Sequence, residues 1–309
     1  MHAHGDQHHG LGHGPPRAGS ATRAFAVVTL INLVYTALEA AVGFATGSLA
    51  LLSDALHNLG DVLGLAMAWA AAAIAERPPR GRHTYGWGRA TLLSPLANAL
   101  LLVGLSGALA WEALRRLSAP PEVPGMVVIT VASIGIAVNL GAAWFLRGDG
   151  DLNRRGAYLH LLADAAISLA AVVAGAGMLL FGWRWLDPAT ALLVGIVVAV
   201  GGWRLLRDSL DAVMDAVPPG IDVDAVRAFL ASRDDVSTVH HLHVWSLGAG
   251  RTALTAHLVR AASDDGDAFL SATAQALAEE FGIDHATLQV EGGDGCSQPC
   301  TGTAAPHAH

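Results

Sequence analysis

Six long apolar stretches follow one another along the chain, at about residues 24–47, 49–75, 90–114, 126–146, 157–181 and 186–206. Each is close to or above the ~20 residues that a helix needs to cross a bilayer. The pattern therefore predicts six transmembrane helices. Asp187-Pro188 is expected to give the sixth helix its N-cap and first-turn proline. After Pro218-Pro219-Gly220 the pattern becomes that of a soluble domain. Residues 222–232 read as a helix, and 237–246 and 252–260 as strands around a turn at Gly248-Ala249-Gly250. Residues 265–281 form a second amphipathic segment. In 284–291, Ala286, Leu288 and Val290 alternate with His285, Thr287, Gln289 and Glu291, as a half-buried strand requires. The order α-β-β-α-β suits an open-faced α+β sandwich of about 75 residues, small for an independent core. It is expected to lean on a second copy of the chain.

The arginines orient the bundle. All 18 basic residues are arginine, and eleven of them flank the helices on one side, from Arg17 and Arg23 through Arg77–Arg89 and Arg147–Arg155 to Arg204 and Arg207. The other side has Arg115, Arg116 and Arg184. The positive-inside rule then predicts that both termini are cytoplasmic. Composition agrees with a membrane protein: 53% of residues are hydrophobic, 14% are charged and the mean hydropathy is +0.44, against about a quarter charged in soluble domains. An ordinary cytosolic enzyme is excluded. A net charge of −8 removes the basic footprint that nucleic-acid binding needs. The expected divisions are a His-rich cytoplasmic tail at 1–22, a membrane domain at 23–210, a cytoplasmic domain at 214–291 and a flexible tail at 292–309. His2, His4, His8, His9 and His13 lie in the first tail, which has no apolar core and does not read as a signal peptide. It reads as a loose metal-binding tract or, alternatively, as neutral low-complexity sequence. Cys296 and Cys300, the only two cysteines, form no disulfide framework and could add thiolates to a metal site.

Ionisable side chains inside spanning helices are expensive and mark function by default. The second stretch contains Leu52-Ser53-Asp54-Ala55-Leu56-His57-Asn58-Leu59-Gly60-Asp61, and the fifth contains Tyr158-Leu159-His160-Leu161-Leu162-Ala163-Asp164. In each, a histidine and an aspartate four residues apart share one helix face. Two such faces turned together offer two imidazoles and two carboxylates, a tetrahedral set for Zn²⁺ or a similar ion. Mixed nitrogen and oxygen donors favour zinc-like ions over Mn²⁺ or Mg²⁺. Asp54 shares the face of Asp61 and reads as part of an exit path, a helix cap or a water-exposed acid. Glu39, Asn32 and Asn98 read as supporting or packing residues.

These residues resemble the cation diffusion facilitators of the zinc type. The resemblance runs from about Arg23 to Glu291. It rests on the run Ser48–Asp61, on Arg82-His83-Thr84-Tyr85-Gly86-Trp87-Gly88-Arg89, on the His160/Asp164 pair and on Val239-His240-His241-Leu242-His243-Val244-Trp245-Ser246-Leu247. It implies a homodimeric divalent-metal/proton antiporter in the cell (inner) membrane, with a cytoplasmic ferredoxin-like domain, exporting metal from the cytoplasm. His57, Asp61, His160 and Asp164 then correspond to the transport site. His240, His257, His285 and Glu291 correspond to a regulatory zinc site in the cytoplasmic domain. Strand alternation places His257, His285 and Glu291 on polar faces but His240 with Leu242 and Val244, so His241 and His243 rival it. An extra zinc site known in some members is not expected, because Trp87 and Arg80 stand where ligands to accompany His83 would fall.

The function expected is proton-coupled export of Zn²⁺, with Cd²⁺ or Co²⁺ as further substrates, with zinc as substrate and regulator and no organic cofactor. The partners expected are a second copy, the lipid bilayer and counter-moving protons, with no nucleic acid. The alternative is an intramembrane metal-dependent hydrolase. It would need an open coordination position and a general base, and the chain has neither His-Glu-x-x-His nor Gly-x-Ser-x-Gly. A metal sensor that moves nothing forms a third class, separated from the others by a flux assay.

Overall fold

A computed structural model describes residues 18–146, 152–261 and 265–292. Six apolar helices come first: α1 (Ala18–Thr46), α2 (Leu49–Ala75), α3 (Ala90–Ser118), α4 (Gly125–Leu146), α5 (Leu152–Phe181) and α6 (Leu186–Val213). Helices α2 to α6 are long and apolar enough to span a membrane, and Leu30–Thr46 of α1 is a shorter apolar segment. Large apolar side chains stand on the outside, such as Trp69, 76% exposed, and Leu180, 71% exposed. That is the arrangement expected where lipid is the solvent. The described residues divide into two compact units, with breaks between Val62 and Leu63, between Ala108 and Leu109, and between Gly195 and Ile196.

The first unit holds α1, the start of α2, the end of α3, α4, α5 and the start of α6. Small residues let α4 and α5 approach closely, a common device in membrane helix packing. A Cβ on Gly175 would sit 2.9 Å from the Gly125 carbonyl oxygen and 2.8 Å from Ile129 Cγ1. Gly135 of α4 makes room for the Tyr35 hydroxyl, which a Cβ there would meet at 2.3 Å. Tyr35, Leu51, Val128, Val131, Ala132, Ala171 and Met178 form the buried core around these contacts.

Gly47, at φ 70°, turns the chain from α1 into α2, and Ser48 caps α2 through a hydrogen bond from the Leu51 amide, 3.3 Å. Asp187 was expected to cap α6, but it lies within the first turn of α6. Its carboxylate instead accepts from Ser48 Oγ (2.6 Å), Leu49 N (2.8 Å) and Ala50 N (3.3 Å). The acid thus serves the N-terminus of a neighbouring helix, where free amides and the positive end of the dipole attract a negative charge.

The second unit ends in the α+β part: α7 (Val223–Ala231), β1 (Val236–Gly248), β2 (Arg251–Arg260), α8 (Gly266–Phe281) and β3 (His285–Glu291). This is the expected order. Asp222 caps α7 by accepting from Asp224 N and Ala225 N. The sheet order is β1-β2-β3, antiparallel between β1 and β2 and parallel between β2 and β3. Val226, Leu230, Val244, Leu254, Leu258, Phe269, Leu277 and Ile283 build its core. Two features break the simple alternation. The β1–β2 register shifts between His240 and His243, with His241 at φ 50°. At the end of β3, Val290 is exposed while Glu291 is half-buried.

Candidate metal sites

His57 and Asp61 on α2 face His160 and Asp164 on α5 within the first unit. Their contacts form a closed ring of alternating imidazole and carboxylate. His57 Nε2 lies 3.3 Å from Asp164 Oδ1, and His160 Nε2 lies 3.7 Å from Asp164 Oδ2. His160 Nε2 lies 3.1 Å from Asp61 Oδ2, and His57 Nδ1 lies 4.0 Å from the same oxygen. Donor atoms about 2.0–2.2 Å from a tetrahedral zinc stand about 3.3–3.6 Å apart. The four contacts bracket that spacing, but no three of these side chains offer one donor atom each within 4.8 Å of one another, so the site must close in to enclose a tetrahedral ion. The imidazoles meet edge to face, with centroids 5.9 Å apart. His57 shows Nδ1 to one acid and Nε2 to the other, so a metal that takes one nitrogen from each ring requires the His57 ring to turn. Asp164 Oδ1 is buried without a hydrogen-bond partner, which leaves a lone pair free for a cation.

Exposure across the four is uneven. The side chain of Asp164 is 2% exposed and that of His57 19%, against 40% for Asp61 and 47% for His160. Asp61 and His160 lie nearer the arginine-rich ends of their helices. The ring is therefore open toward those ends and closed on the other side.

On the closed side a layer of acids follows. Asp54, 1% exposed, accepts from Ser168 Oγ (2.8 Å) and Asn58 Nδ2 (3.4 Å). It is neither a helix cap nor water-exposed. Glu39 is fully buried and accepts from the Tyr35 hydroxyl at 2.8 Å. Sequence reasoning gave Glu39 no role beyond support, although it is the one acid in α1 and lone intramembrane acids carry that signal. Tyr35 and Ser168, which hold the layer together, carry no such mark. Asn98 stands elsewhere, in the second unit, with its amide against Gly64.

In the α+β part, His240, His257 and Glu291 come together with ligand atoms within 4.8 Å of one another. His240 Nε2 is 3.1 Å from Glu291 Oε2, and His257 Nδ1 is 2.8 Å from Glu291 Oε1. His240 and His257 are cross-strand partners, and the bulge that follows His240 frees it from the alternation that assigned it to the apolar side. Burial works to raise the Glu291 carboxyl, but the hydrogen bond from His257 and the charges of His240 and His257 outweigh it and hold the group below its usual range. His241 packs beside the cluster, 4.9 Å from the His257 ring, and His243 lies 6.4 Å from His241. His285 does not join. It is six residues before Glu291 on a strand, about 20 Å away at ~3.3 Å per residue, and its ring meets Tyr85 at 5.7 Å.

His83 stacks on Trp87, 3.9 Å between centroids, and its backbone pairs with Arg80. Among the described residues no metal cluster forms there. The terminal histidines, Cys296 and Cys300 lie outside the described residues.

Two family profiles cover this architecture. The cation efflux transmembrane domain matches residues 25–214, and the cation efflux protein cytoplasmic domain matches residues 218–292. The chain is 35% identical over 289 residues to a protein of Bacillus velezensis named cadmium, cobalt and zinc/H(+)-K(+) antiporter, covering 91% of this chain and 92% of the relative. It is 36% identical to the metal cation efflux system protein CzcD of Cupriavidus metallidurans, covering 91% and 90% of the two chains. It is also 36% identical to the zinc transporter ZitB of Escherichia coli, covering 90% and 87%. The chain belongs to the cation efflux, or cation diffusion facilitator, family: it is a multi-pass membrane transporter and not an enzyme.

Proposed function

We propose that the protein exports Zn²⁺, and with it Cd²⁺ and Co²⁺, from the cytoplasm in exchange for protons, with His57, Asp61, His160 and Asp164 as the transport site. The observation that carries this reading is the ring of two imidazoles and two carboxylates, with edges of 3.1 to 4.0 Å, on facing α2 and α5. The names of the three relatives support the choice of metals. Metal binding needs ionised carboxylates and unprotonated ring nitrogens, so it displaces whatever protons the four side chains hold. Alternating access of the ring to the two sides turns that competition into exchange. Potassium, which the name of the Bacillus velezensis relative includes, is a second counter-ion to test.

The protein acts as a homodimer in the bacterial inner membrane, with both termini cytoplasmic. The match to a dimer-forming cytoplasmic domain and the arginine distribution support this reading. His240, His257 and Glu291 hold a regulatory metal; His285 is outside that set. A hydrolase finds no support, since four protein donors leave no open position on a tetrahedral ion.

The test is zinc flux into proteoliposomes, read by an enclosed zinc dye, under pH gradients of either sign and with or without a potassium gradient. Zinc movement that reverses its preference with the pH gradient is expected. Flux indifferent to that gradient refutes proton coupling, and no flux at all favours a sensor.

A further inference from the structure

The layer behind the ring contains ionisable groups that metal binding does not use. Glu39 of α1 and Asp54 of α2 are 0% and 1% exposed, and the hydroxyls that serve them, those of Tyr35 and Ser168, both converge on Gly135, where a Cβ would meet them at 2.3 and 3.1 Å. The donors around them are few. The Tyr35 hydroxyl serves Glu39 Oε1, while the Ser168 hydroxyl and the Asn58 amide serve the two oxygens of Asp54. Glu39 Oε2 and the Asn58 side-chain oxygen are buried with no hydrogen-bond partner. The cluster is thus short of donors: too many acceptors face one another. Tyr35 on α1, Asp54 and His57 on α2 and Asp164 on α5 are the ionisable groups that face Glu39 or its partner. Helix α4 contributes the Val131 carbonyl, held by Tyr35, and has no ionisable side chain. No arginine is among these neighbours.

Two facing carboxyls out of water do not both ionise unless a positive charge lies between them or close by. A single proton on the pair supplies a donor between the two carboxyls and removes the like-charge conflict together. Asp54 is one helical turn from His57, and Ser168 is one turn from Asp164. A doubly positive ion in the ring therefore stands close enough to take over the proton's role.

We propose that Glu39 and Asp54 form a shared-proton pair, distinct from the four metal donors, that gives up a proton as metal enters the ring and takes one up as metal leaves. The inference rests on the ring being the transport site. One exchanged proton then travels on this pair, and the rest on the ring itself. No bond other than O–H is made or broken, and the proton passes to and from water.

The test uses the full-length protein in lipid nanodiscs. Infrared difference spectra between the metal-free and zinc-loaded states are expected to show a protonated carboxylic-acid C=O band, shifted in heavy water, that vanishes on zinc binding. Glu39→Gln removes the pair's component of that band, still binds zinc, and lowers the protons released per zinc bound by about one. In proteoliposomes this variant keeps zinc flux down the zinc gradient but accumulates several-fold less zinc under an imposed pH gradient. Glu39→Asp, which keeps an acid, restores part of the band and of the coupling, and stands in if Glu39→Gln does not fold.

The proposal is overturned if Glu39→Gln releases as many protons as the parent protein. It is equally overturned if the band is undiminished in that variant, or if potassium and not protons is displaced on zinc binding. Undiminished zinc binding and flux in Asp164→Ala contradict the transport-site reading instead, so the two failures are told apart.

Discussion

Removing the Asp187 carboxylate is expected to loosen the helix that carries half of the transport site. Asp187 is fully buried and accepts three hydrogen bonds at the start of α2, from Ser48 Oγ, Leu49 N and Ala50 N, at 2.6 to 3.3 Å. In Asp187→Ala all three donors lose their partner, and the positive end of α2 loses its facing charge. Each buried donor left unsatisfied costs about 1–3 kcal/mol, and partial relaxation onto water or neighbouring carbonyls brings the total to about 3–5 kcal/mol. For a membrane domain of roughly 200 residues this lowers the apparent melting temperature by about 6–20 °C. Asp187→Asn retains one acceptor oxygen but turns an amide toward the donors, and about half the loss is expected. His57 lies eight residues beyond Leu49, about 12 Å along the helix, so zinc affinity falls with the loss of order while the four donors remain. Thermal scans in detergent, followed by the fluorescence of the eight tryptophans, measure the effect. A melting temperature for Asp187→Ala within a couple of degrees of the parent would refute the claim that this acid holds α2 in place.

Gly175→Ala drives a Cβ into the Gly125 carbonyl and Ile129; an overpacking cost of about 1–3 kcal/mol and weaker zinc binding are expected in the same scans and by titration. His57→Asp keeps a ligand but hardens the site, so the preference for Zn²⁺ over harder ions narrows; competition flux with Mn²⁺ reads this, and an unchanged preference counts against His57 as a ligand. In the α+β part the Glu291 carboxyl is held below its usual range, so the stabilisation it contributes is present above the ordinary glutamate range and is lost as pH falls through the lowered value. The full-length protein titrated from pH 7 downward should keep its His257–Glu291 contact through the usual glutamate range, seen in the histidine ring resonances. Glu291→Gln should abolish that pH response and reduce zinc bound per chain in a protein whose ring is disabled by Asp61→Ala.

The parts that were legible in the sequence share a short range. Six apolar stretches, and a His-x-x-x-Asp spacing repeated in two of them, follow from helix geometry alone. The soluble part was equally readable, since Pro218-Pro219-Gly220 and the Gly248-Ala249-Gly250 turn punctuate it locally. What was hidden depends on distant partners. Asp187 looks like a cap for its own helix, and only the fold brings it to Ser48. Glu39 and Asp54 are each one polar residue in an apolar helix, and their pairing needs the approach of α1 to α2 with Gly135 leaving space for Tyr35. In the strands, alternation misassigned His240 because a bulge with a positive φ at His241 has no glycine to announce it. The family resemblance places His285 among the ligands, but strand length separates it from Glu291.

The central claim, that the two His-Asp pairs hold the transported ion, is tested most directly by zinc flux through Asp164→Ala in proteoliposomes. Asp164 is the most buried of the four and contacts both imidazoles. The amount of inserted, dimeric protein is measured in the same vesicles, so that flux is expressed per transporter. The account predicts that Asp164→Ala inserts and dimerises like the parent and moves zinc no faster than empty liposomes. Zinc flux at the parental rate in that variant would contradict it.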